Sequence, residues 1–133
     1  MLNTNFFSDY NFESFGYFCS NDAKAIKSGE FINVGYPINF NNIVWDGLCI
    51  KIMQSGLYCL NFVCQFNNCC QIIFCINTIP ALETIVNSTI NNFIIANNVI
   101  MLNTNDTVSI LNYNSDIDIQ PKGYMELKLW KIN

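Results

Sequence analysis

Two runs of alternating side chains between Leu48 and Phe66 constrain the fold of this chain more than any other feature. In the first run, Leu48, Ile50 and Ile52 share one face. In the second run, apolar residues share a face at every other position: Tyr58, Leu60, Phe62, Cys64 and Phe66. A period of two residues is that of a half-buried β-strand, and the Gln-Ser-Gly corner at 54–56 favours a turn. The pattern therefore predicts a central β-hairpin.

Further short strands are predicted on both sides of this hairpin. They are expected at residues 15–20, 31–34, 36–40, 43–45, 71–77, 82–86, 93–96, 99–103, 107–113 and 124–132. The runs at 82–86 and 93–96 are weaker than the others. A total of about 8 to 10 strands at spacings of about 8 to 12 residues, with no helical period, predicts an antiparallel sandwich or barrel.

The 133 residues of the chain are enough for one domain. We expect a flexible arm over residues 1–14, with Tyr10 and Phe12 among its aromatic side chains, and a folded domain over residues 15–133. The N-terminal residues contain no Lys-rich leader and no apolar run long enough for a membrane span. We therefore expect no signal peptide and no membrane insertion.

The charge content argues for association and against nucleic acid as a partner. Charged residues make up 12% of the chain and hydrophobic residues 51%, so Asn, Ser and Thr or another subunit must cover much of the surface. The net charge is -4, and the 6 basic residues are all Lys. A nucleic-acid-binding protein would carry a basic patch, which this sequence lacks.

The seven cysteines leave two interpretations open. Because the number is odd, at least one thiol stays unpaired within a single chain. Most lie inside apolar strand patterns, where a free Cys behaves as a small hydrophobe. The alternative is one or two disulfides that join Cys59 or Cys64 to Cys69, Cys70 or Cys75. A zinc site is disfavoured because the chain has no His and no Cys-x-x-Cys pair.

No catalytic centre is predicted, and no cofactor. A chain without His cannot form a Ser-His-Asp or Cys-His arrangement, and no Gly-rich phosphate loop occurs. Asp116 and Asp118 are weak calcium candidates, because both carboxylates fall on one side of an extended segment. Solvation of a loop is the other explanation for them.

Two sequence patterns fit N-glycosylation, at Asn87 in Asn-Ser-Thr and at Asn105 in Asn-Asp-Thr. In a chain so rich in Asn, chance matches of this kind are expected.

The last predicted strand has two different faces. Met125, Leu127 and Leu129 form an apolar face. The other face mixes aromatic and charged residues: Tyr124, Glu126, Lys128 and Trp130. An aromatic side chain beside alternating charges predicts that this face contacts another subunit. The alternative is an amphipathic strand in which Trp130 caps the edge of the core.

Three segments, in this order, resemble the jelly roll of complement-q globular heads, tumour necrosis factor ligands and the C-terminal domains of collagen-like spore-surface and large-DNA-virus proteins. The first is Gly56-Leu57-Tyr58, similar to the family's Gly-x-Tyr strand entry. The second, residues 102–110, resembles its Leu-x-x-Gly-Asp-x-Val turn, with Asn105 in place of Gly. The third is the closing strand at residues 123–132.

The resemblance implies a tumour necrosis factor-like jelly-roll sandwich and a compact homotrimer with its loops free for recognition. It implies a non-enzymatic structural or attachment module on a virion or particle surface, or outside the cell. Its partners would be further copies of itself and a host-surface receptor or glycan. The alternative is a small carbohydrate- or calcium-binding domain, or a carbohydrate-modifying enzyme, that uses the Asp116 and Asp118 loop.

Overall fold

Two antiparallel sheets form the part of the chain that the computed structural model describes, residues 12–113 and 118–132. The five-stranded sheet has the order β2 (Tyr36–Asn41), β1 (Phe15–Ser20), β11 (Met125–Lys131), β5 (Gly56–Gln65) and β9 (Phe93–Leu102). The six-stranded sheet has the order β3 (Ile43–Trp45), β4 (Ile50–Ile52), β10 (Thr107–Asn112), β6 (Gln71–Ile76) and β7 (Ile79–Pro80), and β8 (Val86–Asn87) also pairs with β6. The predicted all-β jelly-roll sandwich is confirmed.

The core lies between the two sheets, where each sheet buries one face. Along β5, Tyr58, Leu60 and Phe62 are buried and the residues between them are partly exposed. From the other sheet, Ile50 and Ile52 of β4 join the same core. The alternation in the sequence therefore predicted these buried side chains correctly. Leu48, which the pattern places on the same face as Ile50 and Ile52, is the exception: it precedes β4 and is 44% exposed.

The central hairpin, in contrast, was a wrong prediction. Strand β4 pairs with β3 and β10, and β5 pairs with β11 and β9, so the two runs belong to different sheets. The corner at 54–56 carries the chain across the sandwich. Both runs bury one face in a shared core, and this gives the same alternation that a hairpin would give.

Three other strand predictions need correction. The runs at 93–96 and 99–103 form the single strand β9, because its two asparagines continue the pairing with β5. The run at 82–86 is a 3-10 turn, Leu82–Thr84, followed by β8. The run at 31–34 buries Ile32 and Val34 but makes only an isolated bridge, between Phe31 and Leu111.

Two left-handed backbone positions direct the chain between strands. Gly35 has φ +92°, and a Cβ built there would lie 2.0 Å from the carbonyl oxygen of Cys19, so only glycine allows β2 to begin beside β1. Asn105, at φ 75°, turns the chain from β9 into β10. Asn tolerates this conformation better than other non-Gly residues, as expected for the residue in place of the family's Gly.

The described residues contain no helix that is long and apolar enough to cross a membrane.

Candidate assembly face

The best candidates for functional residues lie on the outer face of the five-stranded sheet. This face points away from the core. Residues directly opposite in an antiparallel pair lie on the same face, so the register defines three rows across this outer face. They are Phe15, Trp130, Cys59 and Val99; Tyr17, Lys128, Asn61 and Asn97; and Cys19, Glu126, Val63 and Ile95.

At the centre of the outer face, two of the predicted interface residues form a polar cluster with Tyr17. The Tyr17 hydroxyl donates to Oε2 of Glu126 at 3.0 Å, and Nζ of Lys128 lies 3.2 Å from Oε1 of the same carboxylate. The Lys128 ammonium also lies 5.3 Å from the centre of the Tyr17 ring. The cluster therefore satisfies these charges within one copy of the chain.

Burial of this cluster has an electrostatic consequence for Tyr17. Its side chain is 1% exposed, and burial raises the pKa of Tyr17 far above its ordinary value of 10.0, with hydrogen bonds to Cys19 and Glu126 adding to the rise. The phenol therefore stays protonated and keeps donating its hydrogen bond at any physiological pH.

The other two predicted interface residues lie toward the ends of β11. Trp130 is half-buried, and its ring lies 6.2 Å from that of Phe12. Tyr124 precedes β11 and is exposed. The structure thus places Glu126, Lys128 and Trp130 on one face, with Tyr124 just before the strand, and the role of all four residues in subunit contact stays a prediction.

The exposed apolar part of the outer face lies on β9, which sequence analysis did not nominate. We call Phe93, Ile95, Val99 and Met101 the β9 stripe. Ile95 is 56% exposed, Val99 60% and Met101 61%. Apolar side chains that share one face and stay in contact with water are typical of an interaction surface.

Strand β9 is also an edge strand. Among the described residues it pairs only with β5, over ten residue pairs. Edge strands of soluble proteins usually carry charged residues that prevent association, but β9 has none, and residues 52–105 contain a single charge, Glu83. The scarcity of charged residues in this part of the sequence was the signal that could have identified the β9 stripe.

The remaining candidate sites do not form a recognisable centre. Asp118 is exposed, and Asp116 lies outside the described residues. Within the described ranges, no group of three or more His, Cys, Asp or Glu side chains could hold a metal ion. Asn87 and Asn105 are both exposed, and Oδ1 of Asn87 accepts a hydrogen bond from Gln71 at 2.8 Å. Calcium binding and glycosylation stay predictions.

All seven cysteines are free thiols, and none of the considered disulfides is present. Cys64, Cys70 and Cys75 are buried in apolar surroundings. Burial raises the pKa of Cys64 to about 12 and that of Cys70 to about 11, so neither is a nucleophilic thiolate at neutral pH. These thiols behave as small core hydrophobes.

The sequence itself matches no family model, and no curated protein resembles it significantly. The fold, however, is similar to several solved structures. The globular domain of zebrafish complement 1qA has 11% identity and a TM-score of 0.65, with 90% of this chain and 98% of that chain covered. PRD1 vertex protein P5 has 12% identity and a TM-score of 0.67, with 92% and 99% covered.

A third similar structure is the Eiger TNF from S. frugiperda, with 12% identity, a TM-score of 0.59 and coverage of 90% of this chain and 92% of that chain. At such low identities the likeness concerns the fold, which extends over nearly the whole length of each protein. The chain therefore has the jelly-roll fold that complement-q globular domains share with tumour necrosis factor ligands.

Proposed function

We propose that this protein is a non-enzymatic structural or attachment module that assembles as a homotrimer through the outer face of the five-stranded sheet. The β9 stripe carries the proposal, because four apolar side chains on an uncharged edge strand need a covering surface. The number of subunits comes from the resemblance to complement-q and tumour necrosis factor jelly rolls, which form trimers about a threefold axis.

The proposed contact joins two different parts of the outer face. The β9 stripe of one copy lies against the region around Tyr124 and Trp130 of the next copy. A contact between two different patches can close into a ring, in contrast to the self-paired patch of a twofold dimer. The Glu126 and Lys128 pair is compatible with burial in such a contact, because each charge already has its partner.

The loops that remain free in this assembly bind the partner, a host-surface receptor or glycan. The assembled module functions on a virion or particle surface, or outside the cell. Its candidate glycosylation sites, Asn87 and Asn105, would be accessible there.

Light scattering on a matched pair of variants tests the assembly. Val99 lies in the stripe and Val44 lies in β3 on the other sheet; they are 60% and 50% exposed. Val99→Lys places an ammonium in the contact and is expected to shift the mass from about three times 15.2 kDa to 15.2 kDa. Val44→Lys is the control and should keep the mass of the unmodified protein.

The result that contradicts the proposal is a well-folded unmodified protein with the mass of a monomer at high protein concentration. A trimer that persists in Val99→Lys, with the circular dichroism of the unmodified protein, would contradict the assigned face.

A further inference from the structure

The inference concerns the backbone at the free edge of β9, and the pairing with β5 defines which backbone groups face that edge. The N–H of Phe66, one residue beyond β5, donates to the carbonyl of Asn92 at 2.9 Å. Hydrogen-bonded and non-hydrogen-bonded pairs alternate along an antiparallel ladder. Because β9 keeps one register with β5 throughout, its even-numbered residues bond to β5, and its odd-numbered residues point their N–H and C=O groups outward.

Most of these outward positions are open. At Phe93 the edge is closed by Thr89, whose N–H donates to the Phe93 carbonyl at 2.8 Å and whose Oγ1 accepts from the Phe93 N–H at 3.3 Å. The remaining outward residues are Ile95, Asn97, Val99 and Met101. In the part of the chain that the structure describes, no loop or side chain bonds to their backbone groups. The edge therefore presents a regular row of free donors and acceptors.

The β9 edge lacks the features that protect the other edges of the sandwich from association. Strand β2, at the opposite side of the same sheet, contains Pro37 and a register shift against β1 between Tyr17 and Phe18. Strand β3 has 3 residues, and β7 and β8 have 2 each. In contrast, β9 extends over 10 residues without a proline, a charge or a shift. A long and regular strand of this kind can accept another strand at its edge.

The chemistry of β9 favours a second copy of itself as the added strand. The chain has a net charge of -4, which opposes contact between copies over much of the surface, but β9 is uncharged and does not repel its own copy. Asn98 is half-buried near the middle of β9, and its side-chain amide has no hydrogen-bond partner among the residues described. In an antiparallel pair centred on Asn98, the two Asn98 amides face each other and can bond to one another.

We infer that β9 of one copy pairs with β9 of a second copy, in antiparallel orientation about a twofold axis at Asn98. In this register Ile95 of one copy lies opposite Met101 of the other. Asn97 lies opposite Val99. The pairing engages every open position, and each rung exchanges two backbone hydrogen bonds. The added strand lies in the plane of the sheet, whereas the side chains of the β9 stripe point out of that plane. The inference therefore does not rest on the proposed trimer.

Light scattering at rising protein concentration tests the pairing with two variants of Asn97. Asn97→Pro removes an outward N–H that β5 does not use, and Asn97→Ala keeps it; both lose the hydrogen bond between the Asn61 and Asn97 side chains. The unmodified protein and Asn97→Ala should form a species with twice the mass found at low concentration. Asn97→Pro should raise the dissociation constant of this doubled species at least about tenfold, because each copy loses one donor.

The pairing and the proposed trimer can fail separately in this experiment. A trimer that never doubles in mass overturns the pairing and leaves the trimer intact. A monomer that doubles supports the pairing and contradicts the trimer, and a monomer that never doubles overturns both. Doubling that persists in Asn97→Pro, with the circular dichroism of Asn97→Ala, overturns the assignment to the β9 edge.

Cross-linking tests the register without a proline. In a Cys69→Ser background, which removes an exposed thiol, Asn98→Cys places two thiols in a non-hydrogen-bonded pair with Cα atoms about 4.5 Å apart. This separation is within reach of a disulfide. Asn97→Cys is the control, because the two copies of position 97 lie diagonally, more than about 7 Å apart. Asn98→Cys should give far more covalent dimer on a non-reducing gel. Equal yields overturn the inference, and this comparison decides alone if Asn97→Pro does not fold.

Discussion

At the scale of single residues, Thr84 completes the hydrogen bonding of β6. On one side of β6, β7 pairs with one end of the strand and β8 with the other. Phe74 lies between them and, among the described residues, pairs with a strand only on the opposite side, where Ile110 of β10 is its partner. Oγ1 of Thr84 accepts from the backbone N–H of Phe74 at 3.0 Å and donates to the carbonyl of Ala81 at 2.7 Å. One buried hydroxyl therefore supplies the hydrogen bond that a neighbouring strand would otherwise supply to the backbone of Phe74.

Replacing this hydroxyl should destabilise the folded protein. Thr84→Val keeps the shape of the side chain but leaves the buried N–H of Phe74 without a partner, which is expected to lower the free energy of unfolding by about 1–3 kcal/mol. Urea unfolding at one fixed protein concentration measures it. Thr104→Val, at an exposed position, is the control and should change stability by less than about 0.5 kcal/mol. Equal stability of the two variants would contradict the assigned role.

The buried thiols make stability depend on pH at the alkaline end. The ordinary pKa of a Cys thiol is 9.0, and in the folded chain burial raises the pKa of Cys64 to about 12 and of Cys70 to about 11. The unfolded chain therefore loses these protons first as the pH rises. The stabilisation is fully present below about pH 9 and declines as the pH approaches 11 and 12.

A double variant, Cys64→Ala with Cys70→Ala, should show a shallower loss of stability above about pH 9 than the unmodified protein. The comparison uses urea unfolding in the presence of reductant, at pH values on both sides of that limit. Both proteins contain the same other side chains, so the difference between their two pH profiles isolates the contribution of the two thiols. Parallel pH profiles would contradict the raised thiol pKa values.

At the scale of elements, the turn from β9 to β10 depends on one left-handed residue. Asn105 has φ 75°, which costs a β-branched residue about 1–2 kcal/mol. Asn105→Val should therefore lower the free energy of unfolding by about that amount, whereas Asn105→Gly should leave it equal or higher. Thermal or urea unfolding measures both.

Asn103→Val is the control for this turn, because Asn103 is exposed in the same loop and has an ordinary φ. If Val is tolerated equally at both positions, the left-handed conformation is not what selects Asn105.

Some strands were predicted correctly from the sequence, whereas other strands and the pairing of β4 with β5 were not. The limits of β1 at Phe15–Ser20 agree with the prediction, because alternation and flanking turns are local signals. The partners of β4 and β5 were wrong, because hydrogen bonding between strands depends on distant segments: β5 pairs with β9 and β11, far along the chain. Likewise, Phe93–Leu102 looked like two weak runs because its central asparagines break the apolar pattern.

At the scale of the whole molecule, the free thiols predict how the assembly responds to reductant. With all seven cysteines unpaired, the proposed trimer is held by packing alone, so its mass by light scattering should be the same with and without reductant. A monomer that appears only under reducing conditions would mean that disulfides between copies hold the assembly. The Val99→Lys and Val44→Lys pair then shows which face supplies the packing.

Local period and local conformation were enough to predict an all-β sandwich, most of the side chains that fill its core, and a turn at Asn105. Tertiary contacts were needed to show which strands pair, that the exposed apolar surface lies on β9, and that residues from separate loops and strands line one cleft. These features join residues that are distant in sequence, such as Asp22, Leu48 and Met125 in the cleft. Alternation along a strand records that one face is buried, but it carries no information about which distant segment buries it.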